Sequence, residues 1–309
     1  MKHKVTIFCF CLISALSAWA QEGCYADYGM PIKKLLLKDG SQLAYVEKGK
    51  GKPIIFIHGL GGNIFHWIKN LPELSAKYRC IAVDLPGYGY SIDANKIIID
   101  HLAFYADAIF QLSKQLSLKN ISLTGISMGG QIAVIAGLQH PELFKKLILI
   151  NPAGLETFTE KEKTLLSNLS TQTFFKNQDE AIIRKNYKNN FYDQPADAEQ
   201  LSQYRLTLRN CPQFDIYTAT IVKGIQGMLS HPVKNDLSKL KQRVLLVMGE
   251  NDNLIPSRLL HPTLKQDDII KVATDNIKKA GVLIIPLSGH MLAFEKPHYI
   301  NLSIKNFIN

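Results

Sequence analysis

Short unbroken apolar runs alternating with helix-compatible stretches predict an α/β fold, with a mostly parallel sheet covered on both faces and a helical insertion. Three observations carry that expectation. The runs at 54–57, 80–84, 147–150 and 243–248 carry almost no polar residue, as strands buried on both faces require. Residues 121–131 read as strand, tight turn and helix in immediate succession. Residues 153–235 are polar, dotted with aromatics and free of any convincing buried strand, which marks an insertion above the sheet.

Taken in order, the chain begins with an address. Lys2 and Lys4 precede an uncharged apolar run over residues 5–18, and Ala18-Trp19-Ala20 forms a small-x-small cleavage signal. That run is short of the ~20 residues that span a bilayer, so residues 1–20 are expected to be a removable signal peptide and the mature protein periplasmic or secreted. Gln21-Glu22-Gly23 ahead of Cys24 makes no lipobox. Residues 33–37 and 42–47 flank Asp39-Gly40 as a hairpin, and Pro53 introduces the run 54–57. A short helix is expected over 65–77, a buried strand over 80–84, a loop over 85–91 and a helix over 98–116. The sheet pattern returns at 147–150, and after the insertion at 243–248 and 282–286. The organisation is thus a core of residues 21–152, a helical cap of residues 153–235 and the rest of the core in residues 236–309.

The formal charge of +10 falls to +8 once Lys2 and Lys4 leave with the signal. A basic surplus favours anionic membrane surfaces, so weak membrane-surface association is one reading. The basic residues are scattered, which points instead to a solvated surface, and no Lys/Arg stripe interleaved with aromatics supports nucleic acid as a partner. Of the five cysteines, Cys24, Cys80 and Cys211 remain in the mature chain. Cys80 starts an apolar strand and is expected to be buried, while a Cys24–Cys211 bridge is open. Cys and His residues show no metal-ligand spacing, so no metal is expected.

The chemistry centres on residues 125–129, Gly125-Ile126-Ser127-Met128-Gly129. The turn lifts the Ser127 hydroxyl clear of the sheet, and a Cβ at Gly125 or Gly129 would collide with the neighbouring strand or helix. The helix that follows aims its N-terminal N–H groups at the place where negative charge would develop. A serine hydroxyl needs a base, and the base an orienting acid, both expected just past the C-terminal ends of strands. Strand 243–248 is followed by Glu250 and Asp252, and strand 282–286 by Ser288-Gly289-His290. Asp252 also fits a helix-capping role, and Glu250 is a rival acid. Asn151 stands at another strand end but supplies no carboxylate. His58 reads as a brace for a loop, Asp84 and Ser91 as fixing the loop beside the site, and His66, His101, His140, His231, His261 and His298 as surface or packing residues. The aromatics Phe174, Phe175, Tyr187, Phe191, Tyr192 and Tyr217 fit either an acyl pocket or the cap's own core.

On the segments HGLGG at 58–62, DLPGYGYS at 84–91, GISMGGQ at 125–131, HPELFKKLILINPAGLE at 140–156, GENDNLIP at 249–256 and SGHMLAFEKP at 288–297, the chain resembles the α/β-hydrolase superfamily over residues 32–309. Within it the likeness is to bacterial esterase/lipases and the monoacylglycerol-lipase-like branch. The resemblance implies Ser127 as nucleophile, His290 as base and Asp252 as orienting acid, in the expected chain order. It also implies an oxyanion hole made by the backbone N–H groups of Leu60 and Met128, with Gly59 and Gly61 allowing close approach of that loop, and no cofactor. The stretch 257–281 is longer than the usual link before the last strand. The same three residues would serve a C–C bond hydrolase or an amidase such as an aminopeptidase, and the fold can also act as a non-catalytic ligand-binding scaffold. A dehalogenase or epoxide hydrolase would want Asp at position 127. Small ester or lipid substrates are the expected partners, and the sequence leaves the oligomeric state open.

Overall fold

A computed structural model describes residues 24–93 and 102–309 of the chain. The predicted signal segment, residues 1–20, lies outside the described residues. The strands are β1 (Lys33–Leu36), β2 (Gln42–Lys48), β3 (Lys52–Ile57), β4 (Tyr78–Asp84), β5 (Ile121–Ile126), β6 (Phe144–Ile150), β7 (Arg243–Gly249) and β8 (Ala280–Ile285). They form one sheet in the order β1-β2-β4-β3-β5-β6-β7-β8. β2 pairs antiparallel with β1 and β4, and every other pairing is parallel. This is the α/β-hydrolase fold expected from the sequence.

Except for the edge strand β8, where Val282, Leu283 and Ile284 are exposed, the parallel strands are largely buried, and their alternation sorts residues between two cores. Ile55, Ile57, Ile81, Val83, Leu123 and Leu149 face one core together with α2 (Leu102–Gln115) and α3 (Met128–Gln139). Ile54, Phe56, Cys80, Ala82, Ile148 and Ile150 face the other, with α1 (Leu71–Leu74) and the two C-terminal helices. The helix expected over 65–77 is split into a 3₁₀ turn at Ile64–Trp67 and the single turn α1, with Pro72 in its first turn. Of the helix expected over 98–116, residues 98–101 lie outside the described residues.

Between β6 and β7 the chain is helical: α4 (Glu160–Leu169), α5 (Gln172–Lys176), α6 (Glu180–Lys188), α7 (Glu199–Leu208) and α8 (Phe214–Ser230). The two ends of this insertion are zipped together, since the N–H groups of Val233 and Lys234 both donate to the Gly154 carbonyl (3.0 and 3.2 Å). The Gln131 amide of α3 donates to the Met228 and His231 carbonyls (3.2 and 2.7 Å), closing the end of α8 onto the core. The stretch 257–281 contains α9 (Gln266–Asn276), and the chain ends in α10 (Leu292–Glu295) and α11 (Pro297–Ile308).

Cys24 is bonded to Cys211, their Cα atoms 5.8 Å apart, so the start of the described chain is tied to the approach to α8. The same arm stacks Tyr25 on Tyr90, ring centroids 4.4 Å apart, and donates the Tyr28 hydroxyl to Asp84 (3.1 Å). Cys80 is free and buried in β4, where burial pushes its thiol up to about 12.

Candidate active site

Ser127 sits between the end of β5 and the first residue of α3, with φ 56° and ψ −121°. That conformation is costly for a residue with a Cβ and persists only where the surroundings enforce it. Here they do. The Ser127 N–H donates to the Ile150 carbonyl (3.0 Å), and the Ser127 carbonyl accepts from the N–H groups of Gly130 (2.9 Å) and Ala153 (3.1 Å). A Cβ on Gly125 would overlap the Gly129 carbonyl, and one on Gly129 the Ile57 carbonyl, so the elbow closes only with glycine at both places.

The loop after β3 runs against this serine. A Cβ on Gly59 would come 3.2 Å from the Ser127 Cβ, and Gly61 has φ 68°. His58 is fully buried and locks the loop from beneath. Its Nε2 accepts from the Leu85 N–H (3.0 Å), so Nδ1 carries the proton and donates to the Gly59 carbonyl (2.7 Å). Burial pushes its pKa down to about 4, and the ring is neutral. Met128 opens α3, so its N–H has no partner one turn back in the helix. Above the loop, the Tyr217 hydroxyl donates to the Gly61 carbonyl (2.7 Å).

His290 follows β8, and its Nδ1 lies 2.7 Å from Oδ2 of Asp252; both residues are buried. The other carboxylate oxygen of Asp252 accepts from the N–H groups of Leu254 (2.7 Å) and Ile255 (3.2 Å). The turn-capping role and the partnership with His290 therefore fall to separate oxygens of one side chain. Glu250 is turned away, accepting from the Leu287 N–H at 3.3 Å. Asn151 joins these pieces. Its amide donates to the carbonyls of Gly289 (3.1 Å) and His290 (2.9 Å), and its oxygen accepts from the Gly249 N–H (2.8 Å). Its φ of 40° lies in the left-handed region that asparagine tolerates best among residues with a Cβ. Glu295 does similar service from α10, accepting from the N–H groups of Gly289 (2.7 Å) and Asp193 (2.9 Å).

Ser127, His290, Gly59, Leu60 and Gly61 line one cavity of about 380 Å³. Its apolar wall is built from Phe158, Leu166, Ile225, Met228, Leu254 and Ile255, drawn from the cap and the loop after β7. Of the cap aromatics considered from sequence, Tyr187 lines the cavity, while Phe191 and Tyr217 are buried in packing and Phe174 and Tyr192 are exposed. Phe158 lines it too and was missed, because a single aromatic in a turn has no periodicity to flag it.

One further side chain escaped the sequence reading. Glu156 is a buried carboxylate in the cavity wall, accepting from the Ser257 N–H (3.0 Å) and lying 2.5 Å from Nδ1 of His261. His261, expected at the surface or in packing, also places Nε2 3.2 Å from Glu162 and stacks on Phe158. Asp84 and Ser91 do fix the neighbouring loop: Asp84 accepts from the Ile64 and Tyr90 N–H groups (both 2.8 Å), and the Ser91 hydroxyl donates to the Asp84 carbonyl (2.6 Å).

Such a fold, with a serine on a strained elbow lining one cavity with the histidine of a buried His–Asp pair, is that of an α/β hydrolase. The sequence model of the alpha/beta hydrolase fold family matches residues 52–297, and the chain belongs to that family. It is similar to an uncharacterised hydrolase, YugF, of Bacillus subtilis, 26% identical and covering 90% of this chain and 98% of that one. It is also similar to a pimeloyl-[acyl-carrier protein] methyl ester esterase of Wigglesworthia glossinidia brevipalpis, 27% identical over 82% of this chain and 93% of that one. Among solved structures, a probable hydrolytic enzyme of Pseudomonas aeruginosa superposes with a TM-score of 0.80 at 22% identity, covering 92% of this chain and 96% of that one. The protein is a hydrolase of this family with esterase and lipase relatives.

Proposed function

We propose that the protein is a serine hydrolase of carboxylic esters with apolar acyl chains of short to medium length, monoacylglycerol-like lipids included. The observation that carries this is the buried 2.7 Å His290–Asp252 pair, whose histidine lines an apolar-walled cavity with Ser127. Asp252 holds His290 in the tautomer whose Nε2 is free to accept the Ser127 proton. The Ser127 oxygen attacks the ester carbonyl, and the oxyanion lies against the N–H groups of Leu60 and Met128. His290 then delivers its proton to the leaving alcohol oxygen, and a water repeats the sequence on the acyl-enzyme.

An ester is favoured over an aminoacyl amide by the wall itself. A substrate ammonium buried there would need an unengaged anion. Glu156 is the carboxylate among the described lining residues, and its oxygens are already held by Ser257 and His261. An acyl chain needs only apolar surface and gains about 0.8 kcal/mol per buried methylene. Catalytic efficiency toward p-nitrophenyl esters should therefore rise with acyl length until the cavity is full, then level or fall, and Ser127→Ala should abolish it. Amide or C–C bond cleavage well above ester cleavage in a matched panel would overturn the substrate class. Labelling of Ser127 by a fluorophosphonate separates an enzyme from a non-catalytic homologue.

A periplasmic or secreted location belongs to the same proposal. The predicted signal segment and a Cys24–Cys211 bond suited to an oxidising compartment support it.

A further inference from the structure

The sheet ends on two unlike edges. β1 is four residues long and carries Lys33 and Lys34. Shortness and charge are what ordinarily keep an edge strand from pairing with another chain. β8, at the far end of the strand order, reads Ala280-Gly281-Val282-Leu283-Ile284-Ile285, with no charge and no proline. Val282, Leu283 and Ile284 are exposed, and Leu287 just past the strand is exposed too.

The backbone of this edge is as open as its side chains. The carbonyls of Lys279 and Ile285 accept from the N–H groups of Val244 (2.9 Å) and Glu250 (3.0 Å), which turns the odd-numbered positions toward β7. Alternation then turns the N–H and C=O groups of Val282 and Ile284, and the C=O of Ala280, outward. The Ala280 N–H is already given to the Ile277 carbonyl (3.3 Å). Among the described strands, β7 alone pairs with β8.

The occupant that this edge fits is a second copy of itself. With two β8 strands antiparallel about a twofold axis at Val282, Val282 lies opposite Val282 of the second copy. Leu283 then lies opposite Gly281, and Ile284 opposite Ala280, so large side chains meet small ones. Gly281 has the room, since a Cβ there would have only Leu245 and Val244 of β7 within 4 Å. The two Val282 residues exchange a pair of hydrogen bonds, and each Ile284 N–H reaches the Ala280 carbonyl across the axis. Pro286, the next outward position, has no N–H and ends the ladder.

Charge selects the same direction. Lys278 and Lys279 are exposed ahead of the strand, and Glu250 is exposed at its far end, where it accepts from the Leu287 N–H (3.3 Å). Antiparallel pairing sets the lysines of each copy beside Glu250 of the other, twice by symmetry. Parallel pairing would set lysine against lysine.

We propose that β8 is the interface of a homodimer in which two copies of this chain join their sheets antiparallel through Val282. The contact stands whether or not the substrate is an ester, because its readouts do not involve turnover.

The test is sedimentation velocity on the purified chain over a range of about 1 to 100 µM. Wild type should pass from one chain to two within that range and stop at two. Val282→Lys sets two ammonium groups face to face at the axis and should stay monomeric throughout. Lys279→Glu and Glu250→Lys should each weaken the dimer roughly threefold to tenfold, and the double variant should regain the wild-type affinity. Hydrogen exchange supplies a measurement that needs no variant: the Val282 and Ile284 amides should be slowed at the high concentration and fast at the low one. A wild type that stays monomeric, a mass that grows beyond two chains, or a dimer that survives Val282→Lys overturns the interface. A double variant no tighter than its singles overturns the antiparallel register, and amides whose exchange ignores concentration overturn the pairing itself.

Discussion

At the scale of single residues, the site is built by giving one side chain two jobs on two atoms. Asp252 spends Oδ1 on the turn at Leu254 and Ile255 and Oδ2 on His290. Asp252→Asn keeps the shape and one carbonyl oxygen, yet the amide that replaces the other oxygen donates where an acceptor is needed. If the amide faces His290 it selects the tautomer with its proton on Nε2, which cannot accept from Ser127. The variant should fold normally with kcat reduced roughly 10³–10⁴-fold, the size of effect a wrong tautomer has in a serine triad. Glu250, held at the Leu287 N–H, makes no contact of this kind, and Glu250→Gln should turn over near the wild-type rate. Steady-state kinetics on both variants decide the matter: a functional Asp252→Asn beside a dead Glu250→Gln would move the role to Glu250. Asn151 shows what residue type alone does not convey. In the sequence it is a strand-end position lacking a carboxylate, whereas in the fold its amide carries the backbone of Gly289 and His290.

At the scale of elements, most of the fold was legible because it obeys two periods. Runs such as 54–57 and 80–84 are strands buried on both faces, and the Gly125–Gly129 spacing requires a tight elbow between a strand and a helix. The exposed or irregular elements were harder to read. Pro72 and the turn at Asn63 broke the helix expected over 65–77. Tyr217, read as pocket wall or cap core, is the buried hydrogen-bond donor that steadies Gly61. Such a contact joins residues 156 positions apart and leaves no local pattern. The link between α4 and the stretch 257–281 was invisible for the same reason. Burial pulls the His261 pKa down, but the hydrogen bond to Glu156 and the charges of Glu156 and Glu162 outweigh that and hold it above the ordinary imidazole value. The folded state thus binds the proton on this ring more tightly than the unfolded chain does. Its stabilising contribution is present in full below the unfolded value of about 6.5 and fades as pH rises through the raised folded value. His261→Asn should lower the melting temperature by roughly 2–4 °C at pH 6, and the gap from wild type should narrow by pH 9. Thermal melts of both proteins across that range check it, and a gap that is constant or widens with pH would exclude the ionic account.

At the scale of the whole molecule, the covalent tie and the site belong to one arrangement. The bond from Cys24 to Cys211 links residues 187 positions apart and fastens the N-terminal arm to the segment that leads into α8. That helix carries Tyr217 above the Gly61 loop and Ile225, Met228 and Leu229 in the cavity wall. Closing so long a loop removes much of the unfolded chain's freedom, and loss of a native disulfide typically costs 2–5 kcal/mol, so about that much stability is expected to depend on the bond. Cys24→Ser/Cys211→Ser should lower the unfolding free energy accordingly in denaturant titrations, whereas replacing the buried Cys80 by Ala should be felt only through local packing. The bond also bears on where the protein resides, because glutathione and thioredoxin keep such pairs reduced in the cytosol. Cleavage after Ala20 would start the mature chain at Gln21, three residues before Cys24. Intact-mass measurement on the periplasmic or secreted fraction should therefore give a chain beginning at Gln21, or its cyclised form, with one disulfide and one free thiol. A protein found only in the cytosol, with residues 1–20 attached and all thiols reduced, would overturn both the location and the contribution of the bond in the cell.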